Sequence, residues 1–187
     1  RTPNFDRLMQ NCPNATLITH GPDAGLPSGQ MGNSEVGHTN IGAGRVVAMD
    51  LGQIDLAIKD QSFFENSAIL DFAATLRATS GTAHLMSVIS DGGVHGHITH
   101  LQAATKLLTG MNIPVIIHAI ADGRDVSPSS AEGYFKTLQD SLPQGARIGT
   151  VIGRYYALDR DNRWERVETA FAAIAQAKGP KAATPQE

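Results

Sequence analysis

The sequence has almost no cysteine, no long apolar run and no excess of basic residues. Its one cysteine, Cys12, excludes an internal disulfide. That fits a reducing compartment, so we expect a cytoplasmic protein in which Cys12 is a small, partly buried residue. No apolar run approaches the ~20 residues that cross a bilayer, so we expect no membrane partner. Lys and Arg number 15 against 18 Asp and Glu, and this net charge of −3 argues against a nucleic-acid partner.

The remaining composition is that of a globular protein. Hydrophobic residues make up 41% of the chain and charged residues 18%, which is typical of a folded rather than a disordered chain. At roughly 100–200 residues per domain, 187 residues amount to one domain, or to one domain and part of another.

Glycine is concentrated between residues 21 and 52. Residues 25–38 read GLPSGQMGNSEVGH and hold too many turn formers for a regular element, which predicts an ordered loop whose backbone can approach a ligand. Ser34 in this loop is a possible nucleophile if its proton can be removed. The segment is neither a Gly-x-Ser-x-Gly elbow nor a Walker loop, so the residues alone favour a helix cap or a phosphate contact for this serine.

Beyond residue 60 the sequence alternates short apolar runs with helical patterns. This alternation predicts an α/β fold, with a parallel sheet and helices on both faces. We expect strands at 83–90, 113–120 and 147–152, and helices at 66–80, 98–108, 130–142 and 162–178. The last helix has Asp161 as a plausible N-cap and Gly179 as a plausible C-cap.

Polar residues follow the end of each predicted strand. In open parallel sheets, ligands bind outside the carboxyl ends of the strands, so these residues should converge on one edge of the sheet. The group comprises His95, Arg124, Asp125, Arg154 and Arg160. Three arginines at one edge favour a polyvalent anion such as a phosphate or carboxylate, because guanidinium groups bind such oxygens in pairs.

Two of these features allow more than one interpretation. Asp125 could exchange a proton with a substrate hydroxyl, or it could pair with Arg124 and merely hold that side chain. His95, His97 and His100 have a spacing that is conceivable for a metal site. We favour His95 as a phosphate or hydroxyl contact, and the other two as residues that fix the loop and the helix start.

Four motifs together resemble one known family, the cofactor-independent phosphoglycerate mutases. The first is residues 25–38 followed by NIGAGR at 40–45, which resembles the family's nucleophile segment. The later motifs are SDGGVH at 90–95, DGRD at 122–125 and GRYYALDRDNRW at 153–164. They occur in the family's order and span nearly the whole chain.

The resemblance implies an enzyme that interconverts 3-phosphoglycerate and 2-phosphoglycerate through a phosphoserine. Ser34 would be the phosphorylated nucleophile and a metal ligand, and two Mn²⁺ ions, or Mg²⁺ in some members, would serve the complete enzyme. The substrate would be bound by His95, Arg124, Asp125, Arg154 and Arg160. The partner is therefore a small molecule, and the parent enzyme is expected to be a monomer.

The resemblance also implies that the chain is an internal fragment. Residues 1–47 would be an N-terminal stub of an alkaline-phosphatase-like domain, and residues 48–187 most of the phosphoglycerate-binding domain. The family's other metal ligands and a later arginine motif have no counterpart in this sequence, so the isolated chain is expected to be inactive. Residues 1–47, as a stub of their domain, are expected to be poorly packed. Two other interpretations remain open: a catalytically silent phosphoglycerate-binding module, and another metal-dependent phosphomutase of the same superfamily.

Overall fold

The computed structural model describes residues 1–185 and divides the chain into two compact units, Arg1–Met49 and Asp50–Glu187. Within the described residues, no helix combines the length and the apolar character that crossing a membrane requires.

The first unit contains two helices. Helix α1 spans Pro3–Asn11, and α2 spans Ser34–Ala43. The prediction that residues 25–38 hold no regular element is wrong at its end, because α2 begins inside that segment. The side chain of Asn33 accepts a hydrogen bond from the Val36 N–H at 3.0 Å, and this N-cap stabilises the helix despite the glycines within it.

Two glycines in this unit are required by close approaches of the backbone. Gly25 has a φ of +82°, and a Cβ there would lie 2.1 Å from the carbonyl oxygen of Val47. A Cβ on Gly32 would lie 1.8 Å from the carbonyl oxygen of Thr19. Any side chain at either position would displace backbone, so the glycine-rich composition reflects how tightly this segment folds on itself.

Little of the first unit is buried. Ala24, Leu26 and Val36 form a small apolar cluster with Met49, and no residue of α1 is buried. Apolar side chains such as Met31 stay exposed, which agrees with the expectation of poor packing. The expectation for Cys12 is wrong: it is exposed, because no packed core lies near the end of α1.

The second unit is built around a parallel sheet of three strands in the order β1-β2-β3. Strand β1 spans Ala83–Ile89, β2 spans Val115–Ala121 and β3 spans Ala146–Gly153. Between β2 and β3 the register shifts by one residue after Ile117. The prediction of a parallel α/β fold is confirmed, and the predicted strands match the observed ones to within one or two residues.

Six helices accompany the sheet in the described part of this unit, along with a 3₁₀ turn at Ser62–Glu65. They are α3 (Asp50–Lys59), α4 (Ser67–Ala78), α5 (Ile98–Gly110), α6 (Ala131–Asp140), α7 (Arg154–Ala157) and α8 (Trp164–Gln176). Helices α5 and α6 contact β1, whereas α7 and α8 contact β3.

The core of the second unit lies between the sheet and its helices. Fully buried residues come from β1 and β2, from α5 and from α6, where Leu138 is inaccessible to solvent. Ala73 of α4 is also part of this core. This packing holds the strands in place, so the loops that follow the strands start from a rigid base.

The predicted caps of α8 are wrong at both ends. Arg163, not Asp161, occupies the N-cap position, because the carboxylate of Asp159 accepts the N–H groups of Asp161 and Arg163 and keeps that segment in a loop. The helix ends at Ala177, which has a φ of 52°, and the N–H of Lys178 bonds the carbonyl oxygen of Ala172. Gly179 lies beyond this end.

Candidate active site

A hydrogen-bond network joins the carboxyl ends of all three strands. Ser90, Asp122 and Arg154 directly follow β1, β2 and β3. The Ser90 hydroxyl donates to Asp122 Oδ2 at 2.7 Å, and Arg154 Nη1 donates to Asp122 Oδ1 at 2.9 Å. The three loop starts are therefore fixed relative to one another by side chains as well as by the sheet.

Asp122 is the centre of this network. Its side chain is only 2% exposed, and Oδ1 also accepts the N–H groups of Gly123, Arg124 and Asp125 at 2.7–3.2 Å. Burial alone would raise the pKa of this carboxyl, but the bonds from Ser90, from the backbone and from Arg154 outweigh it and hold the pKa well below its ordinary value of 3.8. The loop after β2 is thus shaped around a buried carboxylate.

Arg154 is shared between two carboxylates. Its Nη1 donates to Asp125 Oδ2 at 2.5 Å as well as to Asp122. Burial disfavours the charged guanidinium, but the bonds to Asp125 and Asp122 raise the pKa of Arg154. Within the described residues no hydrogen bond uses its Nε or Nη2, so those two nitrogens are left for a ligand. Asp125 therefore pairs with Arg154, not with Arg124 as one interpretation of the sequence held.

An open cleft of about 1100 Å³ lies at this edge of the sheet. His95, Arg124, Arg154 and Arg160 line it, whereas Asp125 contributes through its bond to Arg154. Arg124 and Arg160 are exposed and form no ion pair within residues 1–185. The guanidinium groups of Arg124 and Arg160, together with Nε and Nη2 of Arg154, give the cleft the charge and geometry to bind an anion with several oxygens.

The loop that carries Arg160 is held by a cluster that sequence reasoning missed. Arg166 of α8 donates from Nη1 to Asp159 Oδ1 at 2.9 Å and lies 3.5 Å from Asp161 Oδ2. Its guanidinium carbon also lies 3.9 Å from the ring centre of Tyr155. Burial would raise the pKa of Asp159, but bonds from the N–H groups of Arg163 and Asp161 and from Arg166 lower it.

The three clustered histidines separate into different roles. His97 is the N-cap of α5 and accepts the N–H of Thr99 at 3.2 Å. His100 Nε2 lies 2.6 Å from Asp55 Oδ1. Burial and the neighbouring His100 lower the pKa of His97. The expected helix-start role of His97 is confirmed, and His95 is the member of the group that lines the cleft.

Ser34 belongs to the first unit and is the exposed first residue of α2. The ring of His38 contacts it, with Nδ1 2.7 Å from the Ser34 carbonyl oxygen and 3.2 Å from Ser34 Oγ. A carbonyl oxygen only accepts, so Nδ1 carries a proton and donates it there. His38 in this state fixes the helix and does not accept the proton of Ser34.

Asp122 and Arg166 are the structural residues of the site that the sequence analysis did not assign. A signal existed for Asp122, because an Asp-Gly pair directly after an apolar strand is typical of a carboxylate that accepts nearby backbone N–H groups. No local signal marks Arg166. Its role depends on how the loop at 158–163 folds back against α8, which no spacing pattern records.

The fold and the cleft define the protein as an α/β protein with an arginine-lined cleft at the carboxyl ends of a parallel sheet. The family described as BPG-independent PGAM N-terminus (iPGM_N) matches residues 54–187. The chain therefore belongs to this family.

Individual relatives agree with this assignment. A 2,3-bisphosphoglycerate-independent phosphoglycerate mutase of Agrobacterium fabrum is 69% identical over 181 residues, covering 97% of this chain and 36% of the relative. The enzyme of the same name from Paracoccus denitrificans is 67% identical over 96% of this chain. A structure of Leishmania mexicana phosphoglycerate mutase at low cobalt concentration matches the whole chain with a TM-score of 0.80 at 28% identity. The chain spans about a third of the length of these proteins.

Proposed function

We propose that this chain forms the phosphoglycerate-binding and nucleophile-bearing part of a phosphoglycerate mutase that works without 2,3-bisphosphoglycerate. The observation that carries the proposal is the cleft at the strand ends, where Arg124 and Arg160 have no ion-pair partner, and Nε and Nη2 of Arg154 no hydrogen bond, among residues 1–185. The names of the relatives and the family match support the same activity. Residues 1–47 then belong to an alkaline-phosphatase-like domain, and residues 48–187 to the substrate domain.

The cleft carries side chains that suit the charged groups of a phosphoglycerate. The substrate carries a phosphate and a carboxylate, and guanidinium groups bind both with paired hydrogen bonds. Arg124, Arg154 and Arg160 would bind these anionic groups, and exposed His95 at the same edge would contact a phosphate or hydroxyl oxygen. Asp125 has Oδ2 bonded to Arg154, so its Oδ1 would handle the proton of a glycerate hydroxyl.

Ser34 would carry the phosphoryl group between the two positions of the glycerate. Its Oγ would attack the phosphorus and lose its proton, the bond to the 3-oxygen would break, and that oxygen would take up a proton and become the 3-hydroxyl. The 2-hydroxyl of the reoriented glycerate would then lose its proton and attack the phosphoserine, and Oγ would leave, take up a proton and become the serine hydroxyl again as 2-phosphoglycerate forms. The position of Ser34 at the start of α2 favours the negative charge of a phosphoserine, because the N–H groups of the first helical turn point toward it.

The metal requirement is proposed from the resemblance and agrees with the cobalt named for the Leishmania mexicana structure. The complete enzyme would use two divalent ions, Mn²⁺ or Mg²⁺, and Ser34 would supply one ligand. No group of three His, Cys, Asp or Glu side chains in residues 1–185 is placed to hold such an ion. The described residues therefore do not form a metal site by themselves.

The proposal also covers the partner, the oligomeric state and the location of the parent enzyme. The partner is a small phosphorylated molecule, with no nucleic acid or membrane involved, and the parent enzyme acts as a monomer. The acidic net charge and the single cysteine support a cytoplasmic location.

The proposal is tested in a chimera of the Agrobacterium fabrum enzyme, in which this chain replaces the matched segment. We expect the chimera to convert 3-phosphoglycerate in a coupled assay, and Ser34→Ala to abolish turnover. The matched control is Ser67→Ala, because Ser67 is also an exposed first helical residue that follows an asparagine N-cap. Loss of activity in both serine variants, or in neither, would contradict the assignment of Ser34.

The isolated chain is expected to show no mutase activity, because Ser34 has no partner metal ligands within the described residues. The measurement is the same coupled assay with added Mn²⁺. Turnover by the 187-residue chain would show that its own residues complete the catalytic site.

A further inference from the structure

Arg160 lies between two acidic residues in the sequence, yet neither of them neutralises it. Asp159 and Asp161 flank it directly, and such neighbours would ordinarily compete with a ligand for its guanidinium. Both carboxylates are directed to Arg166 instead, at 2.9 and 3.5 Å. Arg160 itself is exposed, lines the cleft and has no ion-pair partner among residues 1–185.

Arg166 is well anchored for this role. Its side chain is 17% exposed, and that of its main partner Asp159 is 1% exposed. The ring of Tyr155 supports the guanidinium at 3.9 Å, so the side chain is fixed by an ion pair and by stacking together. Arg166 also lies in the first turn of α8.

The loop conformation depends on the same cluster. Asp159 Oδ2 accepts the N–H of Asp161 at 3.1 Å and that of Arg163 at 2.9 Å, while Oδ1 accepts from Arg166. One buried carboxylate thus ties both sides of Arg160 to α8. Between these anchors, Asn162 adopts a φ of 58°, which reverses the chain before the helix starts.

We propose that Arg166 is a positioning residue for substrate binding: it occupies the carboxylates of Asp159 and Asp161, fixes the loop, and thereby leaves Arg160 free to bind the phosphoglycerate. Part of this inference rests on the proposed function, because the ligand is the one proposed above. The other part, that Arg166 keeps Arg160 unpaired, concerns the free protein and is measurable without a ligand.

The first experiment follows the rotation of the Arg160 guanidinium about its Nε–Cζ bond by NMR in the labelled full chain. An unpaired guanidinium rotates fast and a paired one slowly. We expect fast rotation in the wild type, and slower rotation in Arg166→Gln as Arg160 takes over a freed carboxylate. Lys136→Gln is the control, because it removes an exposed ion pair with Asp140 far along the sequence from this loop. Unchanged rotation in Arg166→Gln would overturn the inference.

The second experiment measures the Kd of 3-phosphoglycerate for the same proteins. Arg166→Gln should raise it about 10-fold, as expected for the loss of one charged contact. If Arg166 acts through Arg160, adding Arg166→Gln to Arg160→Ala should change the Kd less than about 2-fold. Additive losses in the double variant would overturn the inference, because Arg166 would then act independently of Arg160.

A conservative variant separates positioning from folding. Arg166→Lys keeps the charge but loses the planar stacking on Tyr155, so we expect a Kd increase of about 3-fold and a folded chain. If Arg166→Gln and Arg166→Lys both keep the wild-type rotation rate of the Arg160 guanidinium and the wild-type Kd, the inference is overturned. If the wild type fails to bind 3-phosphoglycerate, the proposed function is contradicted, and the rotation measurement alone decides whether Arg166 keeps Arg160 unpaired.

Discussion

A single carboxylate, Asp122, holds together the residues that surround the cleft. It accepts five hydrogen bonds, from Ser90, from three backbone N–H groups and from Arg154. The sequence predicted which arginines lie at this edge, because the carboxyl ends of parallel strands meet at one edge of a sheet and each arginine follows a predicted strand. It could not predict that Nη1 of Arg154 donates to both Asp122 and Asp125, since hydrogen-bond partners across strands depend on side-chain packing.

Replacing Asp122 by Asn should lower the free energy of unfolding by about 3 kcal/mol at neutral pH, because a buried ion pair loses one charged partner. The folded-state pKa of Asp122 lies below its unfolded value of 3.8. Its contribution is therefore complete above pH 3.8 and is lost as pH falls through the folded pKa. Denaturant titrations from pH 7 into the acid range should show the variant and wild type converging, and a constant difference would contradict this.

Asp140→Asn is the matched control for that measurement. Asp140 also pairs with a cation, Lys136, but both side chains are well exposed. Exposed pairs contribute little, so the control should unfold within about 0.5 kcal/mol of wild type. A control as destabilised as the Asp122 variant would show that burial is not the cause.

At the scale of elements, the sheet carries a hydrogen-bonded chain that crosses all three strands. His118 of β2 is buried and lies between His84 of β1 and Thr150 of β3, with both contacts at 2.9 Å. The sequence analysis placed the three strands and the helices α4, α5, α6 and α8 well, because apolar periodicity determines which segments are buried. It missed α1, α3 and α7, it missed α2, whose glycines suggested a loop, and it misplaced the ends of α8, which depend on the bonds of Asp159.

The histidine chain makes the sheet sensitive to acid. Burial, and then the neighbouring His84, lower the pKa of His118 from its ordinary 6.5, so the folded state resists protonation more than the unfolded state does. Stability should fall as pH drops below 6.5 toward the folded pKa. In His118→Gln this fall between pH 7 and 5 should be smaller, as measured by thermal unfolding. His20→Gln, which changes an exposed histidine, should lose as much stability between pH 7 and 5 as the wild type does. If His118→Gln also loses as much stability as the wild type, the assignment to His118 is contradicted.

Helix α6 buries two side chains in the core, Phe135 and Leu138. Leu138 is 0% exposed, so Leu138→Ala removes a buried side chain and leaves a cavity, at a cost of about 3 kcal/mol. Leu56→Ala in α3 is the matched control, since Leu56 is 56% exposed and should change stability by less than about 1 kcal/mol. Equal effects in denaturant unfolding would contradict the described core.

At the scale of the whole molecule, the two units differ in how much they bury. The second unit has a continuous core around its sheet, whereas the first buries a small cluster and leaves most apolar side chains exposed. The four motifs of the sequence predicted the family, and the family match confirms it. They could not predict that Arg166 binds the acidic neighbours of Arg160, because that contact depends on how the loop at 158–163 packs against α8.

The central claim is that the arginines at the strand ends bind phosphoglycerate, and calorimetric titration of the chain with 3-phosphoglycerate tests it most directly. The matched control is Lys136→Ala, an exposed cation on α6. We predict saturable binding by the wild type and the control, and a Kd at least about 10-fold higher for Arg124→Ala combined with Arg160→Ala. No binding by the wild type, or equal binding by the double variant, would contradict the account.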